Sequence, residues 1–187
     1  MQKLLRLLLM TLVVLGCSLP VFGKVEAAKI AVMPVVTNEE GDAATLSRKA
    51  WNEQCMAMFK FPEFEIVDDT DLEVALKEIH FVPDAKQAPT EALLRQVMAK
   101  TKADMAIMLV MSNLSLEPEV PPTRGNYYIL TQKGELMLVN NISGTVKTEK
   151  VREEDQYDYA VTVRGDFVHE QFRNTITREL KKIMKAK

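Results

Sequence analysis

The chain has 187 residues and a formal net charge of -2, with 24 basic against 26 acidic side chains. That length carries one core-forming domain plus an appendage. The slightly acidic balance gives no electrostatic footprint for nucleic acid, and two cysteines, Cys17 and Cys55, are too few for a disulfide framework.

Residues 1–23 form the appendage. Lys3 and Arg6 accompany a nearly unbroken apolar run from Leu4 to Leu15, and Gly16, Pro20 and Gly23 then break it. This is the shape of a secretory signal, and the run falls short of the roughly 20 apolar residues a membrane-spanning helix needs. With Lys3 and Arg6 gone and no acid lost, the remainder holds 22 basic against 26 acidic residues. Small residues at Val21-Phe22-Gly23 and at Val25-Glu26-Ala27 leave the cleavage site open between positions 16 and 28. Val14-Leu15-Gly16-Cys17 resembles a bacterial lipobox, in which Cys17 carries the lipid; otherwise Cys17 is one more apolar residue of a cleaved signal. Either way Cys55 stands alone, and its place on an apolar helix face predicts a buried small hydrophobe.

The domain proper spans 29–187. Lys29 to Val36 reads as a buried strand, followed by the polar turn Thr37 to Asp42. Ala43 to Phe59 has helical apolar spacing, with Trp51 at the edge of the apolar face and expected to pack rather than to stack on a ligand. Phe64 to Val67 is a short strand. Thr70 with Glu73 fits a capping box for a helix from Asp71 to about His80. Thr90 caps the next helix, whose buried face is Leu93, Leu94, Val97 and Met98. Ala103 to Met111, apolar on both sides, is a central strand covered on both faces. Its methionines, without an accompanying His or Cys, read as adaptable core rather than as a copper or haem site.

Leu114 to Asn126, with three prolines and a glycine, reads as a connector. Tyr127 to Leu130 and Glu135 to Val139 read as a hairpin turning at Lys133-Gly134. Gly144 to Val151 adds a strand, Arg152 to Asp155 a solvated turn, and Tyr157 to Val163 another strand at period two. A helix starting near Asp166 closes the chain, its stripe made of Phe167, Phe172, Ile176, Leu180, Ile183 and Met184. The order β-α-β-α-α-β, an antiparallel meander and a C-terminal helix predicts an α/β sandwich of two or three layers with a mixed sheet.

The chain lacks a glycine-rich phosphate loop, a G-x-S-x-G elbow and a cysteine pair for zinc. His80 and His169 are the only histidines and lie far apart. The acidic stretches Glu39-Glu40-Gly41-Asp42 and Glu153-Glu154-Asp155 with Asp158 read as solvated turns. These features predict a protein with no catalytic residue, metal or cofactor.

Ile30 to Pro34, Phe64-Glu65-Ile66-Val67-Asp68, Asp71 to Glu78, Ala103-Asp104 and Ser143-Gly144 follow one another in a pattern that resembles the curli-assembly lipoprotein (CsgG-like) class of bacterial envelope proteins. The N-terminal domain of the Tol-Pal translocation protein and the lipoprotein activators of peptidoglycan synthases share a related fold. The family's pattern has an arginine where this chain has Asp69 and a glycine where it has Lys102. The resemblance implies the fold, and an exported cell-envelope protein of the periplasm or outer membrane, more than it implies a secretion pore. Expected partners are other envelope proteins or a second copy of the chain, with the membrane reached only through a lipid on Cys17. Tyr127 and Tyr128, beside the Pro118–Pro122 connector, are the expected partner-binding residues. A periplasmic small-molecule or metal-binding protein and a cell-wall hydrolase are the alternative readings.

Overall fold

The computed structural model describes residues 27–119, 127–162 and 166–185. The signal-like residues 1–23 with Cys17, and Pro121, Pro122 and Val163, lie outside them. Six strands form one sheet: β1 (Ala28–Val32), β2 (Val36–Thr37), β3 (Phe64–Ile66), β4 (Met105–Pro118), β5 (Tyr127–Asn140) and β6 (Thr145–Asp158). The helices are α1 (Gly41–Met58), α2 (Asp69–Glu78), α3 (Glu91–Thr101), the single turn α4 (Tyr159–Thr162) and α5 (Phe167–Lys185). The sheet order is β3-β1-β4-β5-β6, with β2 also on β4. The β1, β2 and β3 pairings are parallel, and β4-β5-β6 is an antiparallel meander.

The alternation of β4 sets the layers. Met105, Ile107, Leu109 and Met111 pack with Trp51 and Phe59 of α1 and with Phe172, Ile176 and Leu180 of α5. Ala106, Met108 and Val110 pack with Leu72 of α2 and with Leu94, Val97 and Met98 of α3. Successive strand side chains point to opposite faces, so α1 and α5 cover one face and α2 and α3 the other. The result is a three-layer α/β sandwich with a mixed sheet and a closing helix, as the element order predicts.

The first strand is shorter than the apolar run that encodes it. Pro34 has no N–H for a ladder, and Met33 to Val35 separate β1 from β2. Met33 keeps both backbone groups bonded: its N–H donates to the Ile107 carbonyl at 2.9 Å, and its carbonyl accepts from Trp51 Nε1 at 2.8 Å. Trp51 is wholly buried, a core residue rather than an edge one.

At α2 the cap is Asp68 and not Thr70: the Asp68 side chain accepts from the Thr70 N–H at 2.8 Å. The helix therefore begins at Asp69. Hydrogen bonds from Thr70 hold the Asp68 carboxyl below its usual range. Thr90 caps α3 as expected, accepting from the Leu93 N–H. Lys102 ends α3 in the left-handed conformation, at φ +53°, where helices ordinarily place glycine.

The meander differs most from the sequence reading. Leu114 to Pro118 is not connector but the end of β4, and β4, β5 and β6 each run 14 residues. Lys133-Gly134 is not a turn: Gly134 sits mid-strand, opposite Met111 on one side and Val151 on the other. The β4–β5 register shifts between Met111 and Asn113, leaving Ser112 in a bulge beside it. A Cβ at position 134 would lie 2.4 Å from the Val110 carbonyl oxygen and 2.7 Å from Met111 Sδ. Glycine here permits close approach of two backbones. Arg152 to Asp155, expected as a turn, pairs throughout with Leu130 to Lys133, and Tyr159 to Thr162, expected as strand, is helical. The turn of the meander is Asn141 to Gly144, where Asn140 Oδ1 accepts from the N–H groups of Ile142 and Ser143 at 2.9 and 3.1 Å.

Gly134→Ala must push the Cβ against backbone, so it is expected to lower stability by about 1–3 kcal/mol. Urea unfolding reads this as a lower midpoint with an unchanged slope; an unchanged midpoint would refute the close approach.

Candidate functional site

The two expected partner-binding tyrosines open β5. Tyr127 stands opposite Asp158 and Tyr128 opposite Tyr157 on β6. As neighbours in one strand they point to opposite faces. Tyr128 stacks on Tyr159 with ring centroids 5.7 Å apart, and Tyr157 meets the Phe167 ring edge-on at 4.8 Å. Burial, and secondarily the charge of Asp155, raise the Tyr157 phenol above its ordinary range. The fold thus assembles Tyr128, Tyr157, Tyr159 and Phe167 at one end of the meander. Tyr127 and Tyr128 are half-buried, whereas Tyr159 and Val161 remain 47% and 43% exposed. Sequence reasoning missed Tyr159 because it placed that residue in a strand; its contact with Tyr128 depends on the turn α4.

Beside this aromatic end runs the outer edge of β6. Among the described residues no strand pairs with that edge. Its sequence is dense in charge: Lys147, Glu149, Lys150 and Arg152 come first, then Glu153, Glu154, Asp155 and Asp158. A charged edge of this kind resists indiscriminate strand addition.

Three other groups have potential chemistry. Glu39 accepts from Ser47 Oγ, and His169 Nε2 lies 3.9 Å from Glu39 Oε1 and 3.3 Å from the Ala43 carbonyl oxygen. The acidic turn Glu39 to Asp42 is therefore partly drawn into the protein. Ser47 is wholly buried, and its hydroxyl proton is committed to Glu39. The trio clamps the turn between α1 and α5 and presents no accessible nucleophile. No spacing rule finds it, since 130 positions separate His169 from Glu39.

The β4 methionines, Met105, Met108 and Met111, are all core. Among the described residues no group of three or more His, Cys, Asp or Glu side chains is placed to hold a metal ion. Cys55 is wholly buried, and burial pushes its thiol well above its ordinary range.

The fold can be set beside known proteins on this geometry. No family model matches the chain, and no curated protein matches it in sequence. Among solved structures it resembles the hypothetical protein CT253 from Chlamydia trachomatis, with a TM-score of 0.54 and 6% identity over 86% of this chain and 99% of that one. That likeness establishes a shared fold. Looser likenesses join it to the lipoprotein GNA1162 from Neisseria meningitidis, with a TM-score of 0.46 and 11% identity over 83% of this chain and 99% of that one. A dodecameric PelC from Paraburkholderia phytofirmans gives a TM-score of 0.45 and 12% identity over 87% and 91%. These two add nothing to the shared fold.

A thiol this buried reacts only through opening of the structure. In a Cys17→Ser background, Cys55 is expected to resist an aromatic disulfide reagent in buffer and to react at once in denaturant. Rapid labelling of the native protein would place Cys55 at the surface.

Proposed function

We propose that the chain is an exported bacterial cell-envelope protein that works by binding another envelope protein or a second copy of itself, and not by catalysis. The observation that carries this reading is the outer edge of β6, 14 residues long, which leads into the partly exposed Tyr159 and Val161. A strand edge offers a row of backbone donors and acceptors to an added strand. The charges along β6, mainly basic up to Arg152 and acidic after it, select among partners by complementarity. The signal-like residues 1–23 support export, and Cys17, if lipidated, supplies the only membrane attachment in this reading. A CsgG-like assembly role remains part of the proposal at the level of the resemblance between sequence motifs.

A photo-crosslinking residue placed singly at Val146 and Thr148 of β6, and at Val74 on the exposed side of α2 as control, tests the surface in the host envelope. The β6 positions are expected to give one adduct of defined mass, doubled for self-association or enlarged by a single partner, and Tyr159→Ala is expected to weaken it. No adduct from β6, or the same adduct from Val74, would contradict the reading.

A further inference from the structure

On the face that carries α2 and α3, those helices stop short of the outer part of the meander. There the loop between α2 and α3 overhangs β5 and β6 and leaves an open cleft of about 550 Å³. Lys86 from the loop, Lys133 from β5, and Lys150 and Arg152 from β6 line it, with Glu135 as the only acid. The chain as a whole carries a net charge of -2, so this is a local concentration of positive charge against the overall balance.

The register makes the arrangement costly. Lys133 pairs directly with Arg152, and Lys150, whose own direct partner is Glu135, sits diagonally beside Lys133. Like charges directly opposite each other on one sheet face are destabilising. The cluster is only partly neutralised, by Glu135 opposite Lys150 and by Glu154 near Lys133. Among the described residues, Lys86, Lys150 and Arg152 enter no ion pair, and Lys133 has only Glu154 at 3.9 Å. Some cations elsewhere on the surface have closer partners, as in Arg95–Glu91 at 2.7 Å and Lys100–Glu78 at 2.8 Å. Gly134 forms part of the cleft floor, and beside it Ser112 Oγ donates to the Lys133 carbonyl across the bulge at 3.2 Å.

Three lysine ammonium groups and one guanidinium facing a common space match a group of more than one negative charge with several acceptor oxygens. Arg152 supplies a planar fork and the lysines supply point charges, the combination suited to phosphate. The cleft volume lies in the range of ligand sites of about 300–1,000 Å³ and exceeds what a bare phosphate fills. We propose that the cleft framed by Lys86, Lys133, Lys150 and Arg152 binds a ligand through a phosphate group, carried by a soluble phosphate ester or by a lipid headgroup. This site shares Lys150 and Arg152 with β6, but it opens on the sheet face that carries α2 and α3 rather than along the strand edge, and it stands whether or not that edge binds a partner.

The test titrates the full-length protein calorimetrically with inorganic pyrophosphate, and separately sediments it with phosphatidylglycerol or phosphatidylcholine vesicles. Binding of pyrophosphate is expected to weaken by about tenfold or more in Arg152→Gln, to vanish in the Lys133→Gln/Lys150→Gln/Arg152→Gln variant, and to be unchanged in Lys49→Gln, outside the cleft. Pyrophosphate raises the melting temperature of the wild type and not of the triple variant, which without ligand melts no lower than wild type because the like-charge pair is gone. Binding of phosphatidylglycerol vesicles alone, lost in the triple variant, supports the proposal and assigns the phosphate to a headgroup. Binding of neither probe, or binding by the triple variant as strong as by the wild type, overturns it.

Discussion

Gly134 is the point on which the meander depends. Two backbones meet there so closely that a methyl group at position 134 would stand 2.4 Å from the Val110 oxygen. The bulge at Ser112 brings β4 toward β5 at that level, and the missing side chain lets β5 pass without breaking its pairing to β6. A bulky residue would oblige the sheet to end or splay at this level. Because it does not, β4, β5 and β6 continue well beyond the parallel half of the sheet. The aromatic end and the second half of the unpaired β6 edge lie beyond Gly134, and the cationic cleft lies around it.

The parallel half is held by a different set of contacts. Trp51 closes the gap that Pro34 opens, giving the buried Met33 carbonyl a donor whose loss would cost about 1–3 kcal/mol. Asp104 fastens the start of β4 to β1: its side chain accepts from the Lys29 N–H at 2.9 Å, and its own N–H donates to the Lys29 carbonyl at 2.8 Å. Its carbonyl accepts from the Asn141 N–H at 2.9 Å, which ties the β5–β6 turn to the same point. These contacts fix where β4 begins, and therefore where Ser112 and Gly134 meet. The face of the sheet left open by α2 and α3 follows from the same geometry, since those helices pack only on its inner part.

The elements legible in the sequence are those whose signals are local. Thr90 before an apolar helix face, the two-sided apolar run of β4 and the stripe from Phe167 to Met184 each reveal their element without help from elsewhere. The long strands are illegible for the opposite reason. Gly134 after Lys133 has the composition of a turn, and only the neighbouring strand shows that the glycine serves close approach. Arg152 to Asp155 has the composition of a solvated loop because an edge strand is solvated on most sides. Tyr127 and Tyr128 are adjacent in the chain but face opposite sides of β5, and the contact of Tyr128 with Tyr159 arises only through the turn α4. Lys133, Lys150 and Arg152 become neighbours only through the register of two strands, which no spacing in the chain reveals.

Amide hydrogen exchange across β5 tests the account most directly, because the continuous strand underlies the edge, the aromatic end and the cleft alike. β5 has a pairing strand on each side, so the N–H groups of Thr131 to Glu135 are expected to be protected to the same degree as those of Leu136 to Val139. Exchange of Lys133 and Gly134 at the rate of an open turn, between two protected flanks, would show a hairpin there and would remove the extended sheet on which both proposed surfaces rest.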